Sequence, residues 1–91
     1  MRVLVLSAQY KKDLRRLEKQ KAPLKFLSEA VTMLCEDQPL PESYRDHALA
    51  GKLRQYRELH AAPDLLLIYC KRGNDLLLLA AAGSHSELYG R

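Results

Sequence analysis

Residues 44–69 read YRDHALAGKLRQYRELHAAPDLLLIY, and this pattern predicts a β-hairpin with two unlike arms. We expect Leu53 to His60 to form the first arm, residues 61–64 the turn, and Leu65 to Tyr69 the second arm. Alternation gives the first arm two faces, one with Leu53, Gln55, Arg57 and Leu59 and one with Arg54, Tyr56, Glu58 and His60. The second arm is apolar on both faces, as central strands are. One arm should therefore lie in the core while the other carries polar side chains.

Upstream of the hairpin, the sequence predicts a strand followed by a helix. Arg2 to Leu6 has the alternating, β-branched character of a strand. Ser7 is suited to cap a helix that begins near Ala8. The apolar side chains of this helix fall at i, i+4 and i+7, which predicts one buried stripe made of Tyr10, Leu14 and Leu17.

A second helix is expected to begin near Pro23, because proline fits the first turn of a helix. Residues 37–41, DQPLP, end it. Its apolar positions form two neighbouring stripes: Leu24, Leu27, Val31 and Leu34, and beside them Phe26, Ala30 and Met33. Two helices joined by so short a link are expected to form an antiparallel hairpin.

Downstream of the hairpin, Leu76 to Ala82 predicts one more apolar strand, and Gly83 ends it. Ser84 and Glu87 match the capping-box pattern of a short closing helical turn. The predicted order is β-α-α-β-β-β, an α+β fold in which an antiparallel sheet packs against an N-terminal helical hairpin. A chain of 91 residues is expected to form one domain, 1–91.

The composition, 47% apolar and 29% charged residues, is typical of a globular protein rather than a disordered one. No apolar run is long enough to span a membrane, so we expect no membrane partner. Cys35 and Cys70 lack the spacing of metal ligands and are expected to be buried free thiols, which favours a reducing, cytoplasmic location.

The charge is uneven, because residues 1–34 carry eight basic and three acidic groups, a net charge of +5, whereas the whole chain carries +4. Five of these basic residues cover the exposed side of the first predicted helix; we call them the basic face, and they are Lys11, Lys12, Arg15, Arg16 and Lys19. Such a face is either a solubilising surface or a binding surface for the phosphates of a nucleic acid. The residues alone leave these alternatives open.

The three histidines, His47, His60 and His85, are not spaced as zinc ligands, so no metal or other cofactor is predicted. They instead suit RNA cleavage without a metal. That reaction needs a base for the 2′-hydroxyl, an acid for the leaving 5′-oxygen and a cation for the phosphate. Imidazole can serve as base or acid near neutral pH, and arginine can bind the phosphate.

The histidines fall at places where a site can form. His60 ends its strand on the same face as Glu58, and His85 follows Ser84 at the start of a helical turn, where the helix dipole disfavours a protonated ring. Asp64 follows the turn and can orient an imidazole or take part in proton transfer. Arg54 and Arg57 flank these residues, although alternation directs Arg57 away from His60. Tyr89 could stack on an RNA base. The alternative is a surface turn with unrelated polar residues.

Three segments carry a resemblance to a known family: PLPESYRDHALAG (39–51), YRELHAAPDLLLIY (56–69) and GSHSELYG (83–90). They resemble, in order and spacing, the YafQ group of the RelE/ParE superfamily of bacterial toxins. The resemblance implies a ribosome-dependent, metal-independent mRNA endoribonuclease, or mRNA interferase, of the bacterial cytoplasm. Its partners would be the ribosome with 16S rRNA and A-site mRNA, and a cognate antitoxin, usually a DinJ-like ribbon-helix-helix protein.

The resemblance also implies which residues surround the scissile phosphate: His47, Glu58, His60, Asp64, His85 and Tyr89. It makes a contact with ribosomal RNA the favoured use of Lys11, Lys12, Arg15 and Arg16. Two positions depart from the best-known member, which has aspartate in place of Glu58 and phenylalanine in place of Tyr89. Two alternatives on the same fold are a ParE-like toxin that acts by binding gyrase and an inactive member of a toxin–antitoxin complex. The set of histidines favours the nuclease.

Overall fold

The computed structural model describes residues 1–90 and contains one mixed five-stranded sheet with two helices packed on it. The strands are β1 (Val3–Leu6), β2 (His47–Ala48), β3 (Arg57–Ala62), β4 (Leu65–Arg72) and β5 (Leu76–Gly83), and the helices are α1 (Ala8–Lys19), α2 (Leu24–Cys35) and α3 (His85–Tyr89). Their order confirms the predicted β-α-α-β-β-β succession, with β2 as a short extra strand. Across the sheet the strands lie in the order β1-β5-β4-β3-β2.

The direction of β1 differs from the prediction of an antiparallel sheet. Strand β1 runs parallel to β5, with Val3 opposite Leu76 and Leu6 opposite Leu79, whereas the other three pairings are antiparallel. The sequence pattern specifies that Val3–Leu6 is a strand, but the partner that decides its direction lies near the other end of the chain. The sheet is therefore mixed.

The predicted hairpin exists, but its first arm is shorter than predicted. Residues Gly51–Leu53 form a 3₁₀ turn, in which Gly51 has a left-handed φ of 67°, and β3 begins only at Arg57. The turn between the arms is tighter than the expected residues 61–64, because β3 continues to Ala62. A shift of register between His60 and Ala62 marks a bulge at this end of the hairpin.

The core lies between the helices and one face of the sheet. Tyr10 and Leu17 of α1 are buried, as the predicted stripe requires, and Ser7 caps the helix by accepting a hydrogen bond from the Tyr10 amide at 2.9 Å. Helix α2 buries Leu27 and Leu34 of its first stripe. Its second stripe is only partly buried, because Ala30 is buried whereas Phe26 is exposed. Cys35 and Cys70 are both buried and free.

Within residues 1–90, no helix has the length and apolar character that crossing a membrane requires.

Candidate active site

Strand β3 and the start of α3 bring three ionisable side chains together. Glu58 and His60 lie on one face of β3, as alternation predicts, and His85 reaches the same place from the first position of α3. One nitrogen or oxygen atom from each of the three lies within 4.8 Å of the others. Imidazole and carboxylate groups gathered in this way can act on one bound substrate as acids and bases, and they could also hold a metal ion. The three residues were predicted to belong to one site, and the fold brings them together although His85 comes from a distant element.

His85 is fixed by Asp64, which lies in the hairpin turn. The Nδ1 atom of His85 lies 3.1 Å from Asp64 Oδ1, and the same oxygen accepts a hydrogen bond from the His85 amide at 3.1 Å. These bonds, first from the amide and then from the ring, lower the pKa of Asp64. An ionised carboxylate can only accept, so Nδ1 carries a proton and Nε2 is the atom left for exchange with a substrate.

The local structure around His85 follows the predicted capping box. The Ser84 hydroxyl accepts a hydrogen bond from the Glu87 amide at 3.1 Å, while the Glu87 carboxylate accepts one from the Ser84 amide at 2.9 Å. This reciprocal pair fixes the first turn of α3. The direction of the His85 ring is thus set by its own helix and by the hairpin turn.

A second histidine, His47, is paired with the carboxylate of Glu58. Its Nδ1 lies 2.6 Å from the Arg45 carbonyl oxygen, and its Nε2 lies 3.1 Å from Glu58 Oε2. A carbonyl can only accept, so Nδ1 must donate. A protonated His47 ring would therefore form an ion pair with Glu58 at this distance. Glu58 is buried, with only 6% of its surface exposed.

His60 lies between these two pairs. Its ring centroid is 5.5 Å from that of His85, and the two rings are tilted by 54°. Partial burial lowers the pKa of His60, and the nearby His85 and Arg45 lower it further, whereas the Glu58 carboxylate acts in the opposite direction. His60 is therefore neutral near pH 7 and able to accept a proton.

Tyr89 lies one turn after His85 on α3, with its ring centroid 6.5 Å from the His85 ring. Burial and the Glu58 carboxylate raise the pKa of Tyr89, so its hydroxyl stays protonated at neutral pH. The residue is nevertheless half exposed, which leaves ring surface open to a ligand.

The two arginines predicted to flank the site do not join the histidines. Arg57 points to the opposite face of β3, as alternation predicts, where its Nε and Nη2 atoms donate to Asp46 at 3.0–3.2 Å. The Tyr69 hydroxyl donates to the same carboxylate. The hydrogen bond to Asp46 raises the pKa of Arg57, and the guanidinium forms an ion pair with that carboxylate. Arg54 is exposed in the loop before β3, beside Lys52 and Gln55.

Sequence reasoning missed Arg45, which lies in the loop between the cavity beside the histidines and a second cavity lined by Asp46 and Arg57. It follows a 3₁₀ turn, Glu42–Tyr44, and has a left-handed φ of 51°. It lines a cavity of about 530 Å³ together with His60 and His85. The signal available in the sequence was its position two residues before His47.

The basic face is smaller than predicted, because Arg16 turns inward. Its guanidinium lies 2.6 Å from Asp13, 2.9 Å from the Ala82 carbonyl oxygen and 2.9 Å from Glu87. Asp13 is fully buried and accepts a hydrogen bond from the Ala82 amide at 3.0 Å. Arg16 thus ties α1 to the corner between β5 and α3. The other four members of the basic face remain exposed: Lys11, Lys12, Arg15 and Lys19.

Gly83 occupies the centre of this corner. A Cβ atom added to Gly83 would lie 2.5 Å from Arg16 Nη2 and 3.0 Å from a carboxylate oxygen of Glu87. Any larger residue would push Arg16 away from α3, which carries His85. The close approach explains why glycine is needed between β5 and Ser84.

Comparison with known proteins agrees with the resemblance in the three sequence segments. A model of the family described as the bacterial toxin of type II toxin-antitoxin system, YafQ, matches residues 2–90. The chain belongs to this family. It is 38% identical over 85 residues to the mRNA interferase toxin YafQ of Escherichia coli K12, a match that covers 92% of this chain and 91% of that protein.

Solved structures of YafQ and its relatives show the same fold. The E. coli DinJ-YafQ toxin-antitoxin complex contains a chain that is 37% identical, with a TM-score of 0.88 and 98% of each chain covered. A metal-bound toxin from Helicobacter pylori is 42% identical, with a TM-score of 0.89, and the match covers 98% of this chain and all of that one. The YafQ fold predicted from the three motifs is therefore confirmed.

Proposed function

We propose that this YafQ-family protein is the toxin of a type II toxin–antitoxin system and cleaves mRNA on the ribosome. The observation that supports this most directly is the neutral His60, which lies 5.5 Å from the ring of an Asp64-oriented His85. A base and an acid so arranged can contact opposite sides of one phosphate. The relative from E. coli that is named an mRNA interferase toxin supports the same reaction.

In the proposed reaction, His60 removes the proton from the 2′-hydroxyl of the RNA. The 2′-oxygen then attacks the adjacent phosphorus, and the bond from phosphorus to the 5′-oxygen breaks, leaving a 2′,3′-cyclic phosphate. His85 gives a proton to the leaving 5′-oxygen. Asp64 keeps the His85 ring oriented by accepting a hydrogen bond from Nδ1, as carboxylates do beside catalytic histidines. Side chains supply both proton transfers.

Three residues next to His60 and His85 assist this reaction: Glu58, His47 and Tyr89. His47 lies against the Glu58 carboxylate, whose negative charge favours the protonated His60 ring that forms during the reaction. Tyr89 offers an exposed aromatic ring beside His85 on which a base of the message could stack.

The proposed substrate complex is A-site mRNA on the ribosome. Lys11, Lys12 and Arg15 of the basic face, with Arg54 in the loop before β3, would contact the phosphates of 16S rRNA. A DinJ-like ribbon-helix-helix antitoxin is the proposed partner, because DinJ is bound to YafQ in the E. coli complex. The toxin would act in the bacterial cytoplasm as one domain of residues 1–91.

A ribosome-coupled cleavage assay tests this function. Purified protein, programmed ribosomes and end-labelled message are combined, and His60→Ala and His85→Ala are assayed beside the exposed α2 variant Thr32→Ala as a control for handling. We expect cuts within codons that require ribosomes, together with a loss of about 10²–10⁴-fold in the histidine variants. Unchanged cutting by both histidine variants would overturn the acid–base assignment. Growth arrest in cells without any cutting would favour a toxin that acts by binding a protein such as gyrase.

A further inference from the structure

The site needs a cation for the phosphate, and the arginine predicted for this task is occupied elsewhere. Arg57 donates from two nitrogens to Asp46 on the opposite face of β3. If Arg57 turned toward His60, the Asp46 carboxylate would lose these bonds and would keep its hydrogen bond from the Tyr69 hydroxyl. Arg57 therefore belongs to the support of the loop that contains Asp46.

Arg45 lies where that cation is needed. The cavity of about 530 Å³ beside the histidines is large enough for a nucleotide, and His60, His85 and Arg45 all line it. Among the described residues that line this cavity, Arg45 alone carries a permanent positive charge. We propose that Arg45 binds the scissile phosphate between His60 and His85. This inference rests on the proposed nuclease function and names the residue that holds its substrate.

The backbone of Arg45 is fixed from both sides. Its amide donates to the Glu42 carbonyl oxygen at 2.9 Å, and its own carbonyl oxygen accepts from His47 Nδ1 at 2.6 Å. The left-handed φ of 51° is uncommon for a residue other than glycine and persists because these contacts hold it. The next residue, Asp46, is anchored by Arg57 and Tyr69. The loop thus presents the Arg45 side chain from a rigid base.

The effect of Arg45 on the pKa of His60 agrees with a position of Arg45 beside the histidines. After burial, the positive charge of Arg45 is among the causes that lower the pKa of His60. The same charge would therefore keep His60 neutral before the reaction and stabilise the phosphate during it. A guanidinium is suited to this task because its forked donors can contact two phosphate oxygens as negative charge grows in the transition state.

Single-turnover cleavage by ribosome-bound toxin tests the proposal, with Arg72→Ala as a control from an exposed arginine at the end of β4. We expect Arg45→Ala to lower the cleavage rate by about 10²–10³-fold, a typical loss for one transition-state donor. Arg45→Lys should retain part of the rate, because it keeps the charge but loses the fork. Arg45→Asn tests whether any loss comes from the backbone, because asparagine tolerates a left-handed φ.

The pH profile separates binding of the phosphate from a merely structural role. Removing the positive charge should raise the pKa of His60, so the acid limb of the Arg45→Asn profile should move to higher pH than that of the wild type. A rate equal to that of Arg72→Ala, while His60→Ala is inactive, would overturn the role of Arg45 and leave the nuclease intact. A wild-type protein that does not cut would overturn the nuclease and Arg45 together. A loss of rate matched by a loss of folded protein, without a pH shift, would also contradict the proposal.

Discussion

Two histidine–carboxylate pairs flank His60, and they differ in burial rather than in distance. The pair of His47 and Glu58 and the pair of His85 and Asp64 both have a nitrogen–oxygen separation of 3.1 Å. The Glu58 side chain is 8% exposed, however, and the Asp64 side chain is 68% exposed. Charges interact far more strongly where water is excluded, so equal distances do not imply equal energies.

The difference indicates separate tasks for the two carboxylates. Water and salt screen Asp64, so its main contribution is geometric: it accepts from both the amide and the ring of His85. Glu58 is buried, and its negative charge favours the protonated form of His60. The buried pair therefore acts mainly through charge beside His60, while the exposed pair orients the His85 ring.

Removing the buried charge should have the larger effect. Glu58→Gln keeps the size of the side chain but cannot carry the negative charge that favours protonation of His60. We expect the cleavage rate on ribosomes to fall by about 10²–10⁴-fold, the range of groups that take part in acid–base chemistry. Glu18→Gln, on the exposed side of α1, is the matched control. A Glu58→Gln rate within about twofold of the control would show that the buried charge is not needed.

Removing the exposed charge should have a smaller effect that depends on salt. Asp64→Asn retains an oxygen for the His85 amide but loses the charge, so we expect a fall of only about 2–10-fold, as for other exposed ion pairs. The difference from wild type should shrink at high ionic strength, whereas that of Glu58→Gln should persist. Rates measured across a range of salt concentrations compatible with intact ribosomes test this contrast. An Asp64→Asn defect as large and as salt-independent as that of Glu58→Gln would abolish the distinction.

Local signals in the sequence were sufficient to predict several of the elements that position the site. The cap at Ser7 and the capping box of Ser84 and Glu87 involve residues three apart, and period-two alternation placed Glu58 and His60 together. Each of these depends on neighbours within one element, where the sequence pattern is informative. The three motifs then led to the YafQ family.

Features that depend on distant segments could not be predicted in the same way. The parallel pairing of β1 with β5 joins the two ends of the chain, and Arg16 leaves the basic face because Glu87 and the Ala82 carbonyl oxygen meet it in the folded state. Arg45 was missed because its loop contains no periodic pattern, and only the fold brings it to His60. Helical spacing and alternation show which side of an element a residue occupies, but not what another element places beside it.

A third carboxylate, Asp37, extends the comparison to an exposed group outside the site. Asp37 Oδ1 lies 2.7 Å from Lys71 Nζ and 2.8 Å from Arg2 Nε. The hydrogen bond from Lys71, and then that from Arg2, lower the pKa of Asp37 from 3.8 to about 2. Because the folded-state pKa lies below the unfolded value, the stabilisation is fully present above about pH 4 and is lost as the pH falls through about 2.

Asp37→Asn should therefore cause the smallest effect, and one confined to stability. Asparagine fits the left-handed φ of 52° at this position, so the variant changes the charge with little strain in the backbone. We expect a slightly lower urea midpoint than wild type at pH 6, a smaller difference at pH 2.5, and unchanged cleavage. Added salt should also reduce the difference at pH 6, because the Asp37 side chain itself is half exposed. If the urea midpoints differed equally at both pH values, asparagine would be acting on the turn and not through the lost charge. Exposure would then not explain why the carboxylates of this protein contribute differently.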